Sequence, residues 1–95
     1  MSRIVVVSPD GQETPIALPG EGVLRIGSAR ACDVVLPAAD VRPVHCILRC
    51  SGGKVGLIAP DTEGEVTING DAVRKKILAA GDTVEIGGHR VDIRL

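Results

Sequence analysis

Glycine and proline are spread along the whole chain, and their spacing is the strongest constraint on its fold. The sequence holds 12 Gly and 6 Pro among 95 residues. The longest stretch free of both runs from Asp71 to Ala80, and it contains the basic triplet Arg74, Lys75 and Lys76, which we interpret as a solvated turn. Because an average helix needs about 11–12 residues, the sequence predicts short strands joined by turns, with no long helix.

Alternation of apolar and polar residues supports this prediction. In the last strand, Val91, Ile93 and Leu95 alternate with charged residues, so we expect all three to face the core. The predicted strands include Arg3–Val7, Thr14–Leu18, Val44–Cys50, Lys54–Ala59, Thr83–Ile86 and His89–Leu95. About ten short strands at this spacing predict a β-sandwich, which we assign to residues 1–95 as a single domain.

Turn-forming residues lie between these segments. Asn69-Gly70 is the strongest hairpin signal, because both residues tolerate positive φ. The other predicted turns are Pro9-Asp10-Gly11, Ser51-Gly52-Gly53 and Gly87-Gly88.

The composition excludes several classes of function. The chain has no Phe, Tyr or Trp, so the core must consist of aliphatic residues, Ala and Cys, and bases cannot stack on aromatic rings. The formal net charge is -1 and no long basic run occurs, which argues against a nucleic-acid partner. No catalytic constellation is visible: His45 and His89 lie in separate predicted strands, and the serines lack a nucleophile-elbow context. We therefore expect a protein that is not an enzyme and needs no cofactor.

The three cysteines, Cys32, Cys46 and Cys50, are an odd number, and no signal peptide precedes them. We interpret them as reduced thiols in a cytoplasmic protein. His45 adjoins Cys46, but the two side chains would point to opposite faces of a strand, so we expect no metal site. No segment approaches the roughly 20 apolar residues that span a membrane.

The order of several motifs indicates a known family. The chain resembles forkhead-associated (FHA) domains from about Val23 to its C-terminus, with the segment before it supplying two strands. The motifs that carry the resemblance are Leu24-Arg25-Ile26-Gly27, Cys32-Asp33-Val34-Val35-Leu36-Pro37, His45, Asn69-Gly70 and Gly81-Asp82-Thr83-Val84-Glu85-Ile86-Gly87. The resemblance implies an eleven-stranded, mostly antiparallel sandwich that binds phosphothreonine peptides through loops at one end. It also implies that Gly27, His45 and Gly70 are scaffold positions.

The chain departs from the family where the phosphate would bind. The family has an Arg after the first glycine, where this chain has Ser28, and the next Arg is Arg30. The family sequence Ser-Arg-x-His corresponds here to Arg42-Pro43-Val44-His45. A later Ser and Asn correspond to Thr62 and Gly64, with Glu63 and Glu65 beside them. A phosphate needs an Arg and several neutral donors on rigid loops, so the site is altered.

Two interpretations of the altered site remain open. In the first, phosphate recognition is lost and the domain binds an unphosphorylated protein partner or itself, since Glu63 and Glu65 would repel a phosphate. In the second, Arg30 and Arg42 bind a phosphate or carboxylate from new positions, with Ser28 and Thr62 as neutral donors. Asn69 is either a further ligand residue or only a turn residue. A structural or dimerisation domain is a third function class, and we expect a monomer or a weak homodimer without a membrane partner.

Overall fold

A computed structural model describes residues 2–95, which form two facing β-sheets. The strands are β1 (Arg3–Val7), β2 (Glu13–Ala17), β3 (Gly22–Gly27), β4 (Val34–Val35), β5 (Cys46–Ser51), β6 (Lys54–Ile58), β7 (Val66–Ile68), β8 (Asp71–Ala72), β9 (Lys75–Ile77), β10 (Thr83–Ile86) and β11 (His89–Arg94). One sheet has the order β2-β1-β11-β10-β7-β8 and the other β4-β3-β5-β6-β9. All strand pairs are antiparallel except β3 with β4. The predicted eleven-stranded all-β sandwich is confirmed.

Alternating aliphatic residues from both sheets fill the space between them. Ile4, Leu57, Ile86 and Ile93 are fully buried, and Cys46 and Cys50 pack with them. The period-2 pattern explains this core, because every second residue of a strand faces the opposite sheet. Aliphatic side chains, with Cys and Ala, therefore form the interior of this sandwich, as the absence of aromatic residues requires.

The predicted turns occur where glycine allows positive φ. Asn69 and Gly70 have φ of 52° and 89°, which is the geometry of a two-residue hairpin turn between β7 and β8. Gly52 and Gly53 form the corresponding turn between β5 and β6. Within residues 2–95 no helix is long and apolar enough to cross a bilayer.

Four of the predicted strands, those observed as β2, β5, β6 and β11, differ from the observed ones by one or two residues at an end. The predicted strand Val44–Cys50 begins only at Cys46, because Arg42 N–H donates to Nδ1 of His45 and the chain turns there. His45 therefore lies outside the strand, and both it and its neighbour Cys46 are buried.

The prediction that Leu95 is buried is wrong, since 42% of this residue is exposed. The register explains the difference. β1 begins at Arg3, which pairs with Arg94, so Leu95 lies beyond the last residue pair. Ile93 is the last core residue of β11 and is fully buried.

We predict that the two C-terminal aliphatic residues differ sharply in their effect on stability. Ile93→Ala removes a fully buried side chain and should lower the free energy of unfolding by about 2–5 kcal/mol. Leu95→Ala changes an exposed residue and should alter it by less than about 0.5 kcal/mol. Urea denaturation of both variants followed by circular dichroism tests this, and equal losses would contradict the register of β11.

Candidate functional site

The loop after β3 and the loop before β5 meet at Gly27. A Cβ atom at this glycine would lie 2.1 Å from the carbonyl oxygen of Pro43 and 2.9 Å from that of Arg42. Real Cβ atoms do not approach backbone so closely, so only glycine permits this contact. Gly27 therefore sets how near the two loops can come.

Hydrogen bonds join these two loops beyond the glycine. Ser28 N–H donates to the Arg42 carbonyl at 3.0 Å, and Ala29 N–H donates to the Pro43 carbonyl at 3.2 Å. The thiol of Cys32 also donates to the Pro43 carbonyl, at 3.1 Å. Two of the predicted ligand residues, Ser28 and Arg42, thus lie side by side.

His45 connects the second loop to a third. Its Nδ1 accepts a hydrogen bond from Arg42 N–H at 3.0 Å, so the proton is on Nε2, which donates to the Glu65 carbonyl at 2.7 Å. Only 1% of the residue is exposed. Both ring nitrogens are thus bonded to backbone, and His45 ties the loop 42–45 to the segment 61–65.

The Arg42 side chain is held by two carboxylates. Its Nε lies 2.8 Å from Oδ2 of Asp61, and its Nη2 lies 3.6 Å from Oε2 of Glu63. The hydrogen bond to Asp61 raises the pKa of the Arg42 guanidinium. The same bond, together with one from Glu63 N–H, lowers the pKa of the Asp61 carboxyl. At neutral pH the positive charge of Arg42 is therefore largely compensated.

Gly64 allows this arrangement. A Cβ atom there would lie 3.0 Å from Cγ of Arg42 and 3.3 Å from Nε2 of His45. The Arg42 side chain passes over the glycine on its way to Asp61. Gly64 thus has a packing role beside Arg42 and His45.

Arg74 holds the third loop, residues 59–64, through hydrogen bonds to its backbone. Its guanidinium donates to three backbone carbonyls, those of Ala59 at 2.7 Å, Asp61 at 2.5 Å and Gly64 at 2.8 Å. The basic triplet is exposed, as expected of a solvated segment, but Lys75 and Lys76 lie in β9 rather than in a turn, and Arg74 bonds to backbone. A rigid five-donor fork suits such a set of carbonyls in a way that an ammonium group does not.

An acidic cleft lies beside His45. It has a volume of about 400 Å³ and is lined by His45, Thr67, Gly87 and the four carboxylates of Asp40, Glu63, Glu65 and Glu85. The carboxylate of Asp40 lies directly against Gly87, where a Cβ atom would be 3.0 Å from its oxygens. The loop end of the sandwich thus carries more negative than positive charge.

The other predicted ligand residues, Arg30, Thr62 and Ser28, show among the described residues no shared set of side-chain contacts that would position them to bind one phosphate together. Arg30 is exposed, and within residues 2–95 its side chain makes no ion pair or hydrogen bond. Thr62 is exposed between the two carboxylates that hold Arg42. Ser28 lies next to Arg42 through its backbone.

Asn69 lies away from these loops, which favours its interpretation as a turn residue over that as a ligand residue. Its Oδ1 accepts from Thr83 N–H and its Nδ2 donates to Asp82, both at 3.0 Å. These partners lie where β10 begins, whereas the acidic cleft is at the end of β10. Asn69 and Gly70 thus form a turn at the opposite end of β7 from the segment 61–65.

The three cysteines are free thiols and all are buried. Burial raises the pKa of Cys46 to about 12, with a smaller effect from Cys32. This thiol therefore stays protonated at neutral pH. In the part of the chain that the structure describes, no three His, Cys, Asp or Glu side chains are arranged to hold a metal ion.

Two residues that shape the site were not predicted from the sequence. Asp61 follows Pro60 and accepts a hydrogen bond from Glu63 N–H, so the Pro-Asp pair is a recognisable turn signal. Arg74 has no comparable signal, because its three acceptors are main-chain carbonyls far away in the sequence.

The fold and the loop end together define an FHA-type domain, a class of protein-interaction module. A family model described as "Inner membrane component of T3SS, cytoplasmic domain" matches residues 8–94, and the chain belongs to this family. The comparison with curated proteins gives no match.

Solved structures agree with this assignment. The cytoplasmic domain of the T3SS sorting platform protein PscD from P. aeruginosa is 28% identical, with a TM-score of 0.81 over 97% of this chain and 78% of that chain. An FHA domain studied for phosphothreonine-dependent interactions is 26% identical, with a TM-score of 0.85 over 98% of this chain and 96% of that one. The FHA domain of CT664 from Chlamydia trachomatis shares the fold at a TM-score of 0.91, with 15% identity over 99% of this chain and 96% of that one.

We predict that Gly27→Ala destabilises the domain. The added methyl group would overlap the Pro43 carbonyl and force the two loops apart, lowering the free energy of unfolding by about 1–3 kcal/mol. Gly20→Ala is the matched control, because a Cβ atom there meets nothing within 4 Å. Thermal unfolding of both variants measures the effect, and equal melting temperatures would contradict the close contact.

We predict that Arg74→Lys loosens the segment 59–64 while preserving charge. An ammonium group cannot bond all three carbonyls, so hydrogen exchange at Gly64 N–H should become faster by about tenfold, equivalent to about 1.4 kcal/mol. Arg3→Lys, a conservative change at an exposed residue, should leave this rate unchanged. An unchanged rate in Arg74→Lys would show that the three hydrogen bonds do not hold the loop.

Proposed function

We propose that this domain assembles a protein complex by binding a partner through its loop end without recognising phosphothreonine. The observation that carries this proposal is the pairing of Arg42 with Asp61 and Glu63. An arginine whose charge is already compensated offers little attraction to a phosphate, which carries close to two negative charges at neutral pH.

The surrounding charge supports the same conclusion. A phosphate that approached Arg42 would lie near the acidic cleft of Asp40, Glu63, Glu65 and Glu85. Like charges in one site raise the free energy of binding. Arg30 would have to provide the attraction alone from an exposed turn.

The family gives the proposed setting. Its description names the cytoplasmic domain of an inner membrane component, and the similar PscD protein is described as part of a sorting platform. We therefore place this domain on the cytoplasmic side of the membrane, as a non-catalytic module of a secretion complex. Its partner there is a protein rather than a nucleic acid.

The proposal predicts the outcome of a peptide titration. Phosphothreonine peptides and their unphosphorylated counterparts should bind with equal affinity, or not at all, in isothermal titration calorimetry. Submicromolar binding that depends on the phosphate and is abolished by Arg42→Ala would overturn it.

A double variant tests whether the carboxylates beside Arg42 prevent phosphate binding. Asp61→Asn with Glu63→Gln removes both negative charges beside Arg42, while Asn can still accept the hydrogen bond from the following backbone. Binding of phosphothreonine peptides should then increase, because the Arg42 guanidinium becomes available. Glu13→Gln, at an exposed residue of β2, is the control and should bind as the original chain does.

A further inference from the structure

The outward face of the β4-β3-β5-β6-β9 sheet is unusually apolar. Four of the five large hydrophobic residues that are exposed in residues 2–95 lie on it, and the fifth is Leu95. The register places Ile47 beside Ile58 at its centre. Its aliphatic side chains are Val23, Val35, Ile47, Ile58 and Ile77. Because the same face also carries Arg and Lys side chains, we call it the basic sheet face. A cluster of this kind is typical of an interaction surface rather than of scattered exposed residues.

Every charged residue in the five strands of the basic sheet face is positive, and Glu21 lies at its margin beside Val23 and Arg49. Arg25, Arg49, Lys54 and Lys75 point outward, and none of the five strands contains Asp or Glu. None of these four side chains has an ion pair or side-chain hydrogen bond within residues 2–95. The adjacent carboxylates at the sheet margins are bonded to backbone instead: Glu21 accepts from Gly52 and Asp33 from Arg25 N–H.

The outward face of the other sheet is different. It carries charges of both signs, and Arg90 pairs with Asp92 at 3.1 Å. Mixed, paired charge is what an ordinary solvated surface shows. The combination of aliphatic residues with unpaired cations is therefore specific to one side of the sandwich.

A glycine makes a groove in the basic sheet face. Gly56 lies between Arg49 and Ile77 in the register. A Cβ atom at Gly56 would meet only Cδ1 of Ile77, at 3.6 Å. The resulting groove of about 640 Å³ has Ile58 and Ile77 among its apolar walls, and Arg49, Lys54 and Lys75 also line it.

We propose that the basic sheet face binds an acidic segment of a partner protein. An apolar side chain of that segment enters the groove over Gly56, and carboxylates on either side of it pair with Arg49, Lys54 and Lys75. Complementary charge orients such a segment, and the buried apolar side chain supplies most of the affinity.

The shape of the groove favours this occupant over two others. A lipid surface is flat and would leave the groove above Gly56 unfilled. A second copy of the chain would have to present its own acidic surface to the groove. That surface is a cleft, so no apolar side chain protrudes between its carboxylates. A peptide segment satisfies both the charge and the concavity. The groove lies on the outward face of the sheet rather than among the loops, so this inference does not depend on the proposed function.

The test uses a short synthetic peptide in which one Leu is flanked on both sides by Glu and Asp. Titrated into the ¹⁵N-labelled chain, it should shift amide signals of β5, β6 and β9, and its affinity should fall as salt is added. Gly56→Val should weaken binding by about tenfold by filling the groove. This variant should remain folded, because Val favours strands and the backbone at Gly56 is not left-handed. Arg49→Glu should weaken binding similarly, whereas Arg3→Glu, on the other sheet, should not.

Several results would overturn the inference. Equal binding of a peptide with Ser in place of Leu, or full binding by Gly56→Val, would show that the groove takes no side chain. Binding to phosphatidylglycerol vesicles but not to the peptide would assign the face to a membrane. Dimerisation in sedimentation experiments that Arg49→Glu abolishes would assign it to a second copy. Shifts confined to residues 28–32 and 61–65 would place the peptide at the loop end instead, a result that bears on the proposed function.

Discussion

The contact of Gly27 with the backbone of Arg42 and Pro43 is the constraint on which the loop end depends. Because the two chains touch without an intervening side chain, Ser28 and Ala29 can donate to the carbonyls opposite. The second loop is then positioned for His45 to reach Glu65, which brings in the third loop. The three loops are therefore joined to one another by hydrogen bonds beyond the ends of the paired strands.

Within these loops the scaffold and the charges have separate roles. His45 and Arg74 bond only to backbone, so they determine where the loops lie. Arg42, Asp61 and Glu63 compensate one another's charge on that support. The backbone arrangement of the loops thus rests on residues other than this charged group.

The fold could be predicted from the sequence because strand alternation and turn glycines act locally. Val84 and Ile86, or Asn69 and Gly70, indicate their own conformation without reference to distant residues. The candidate site was less predictable, because its decisive contacts join distant positions: Arg42 pairs with a carboxylate 19 residues away. Leu95 was predicted wrongly for a similar reason. The alternation of apolar and charged residues continues to Leu95, but the pairing of β11 with β1 ends at Arg94.

The arrangement of the six-stranded sheet affects the order in which the domain can form. β1 pairs with β11, so the first strand of the chain and the last are neighbours inside one sheet. Until β11 has left the ribosome, the pair β2-β1 has no connection to the remaining strands of its sheet. The apolar side chains of Ile4 and Val6 then lack the strand that covers them in the finished fold. Contacts between distant parts of a chain form slowly, so this sheet can be completed only after β11 has been synthesised.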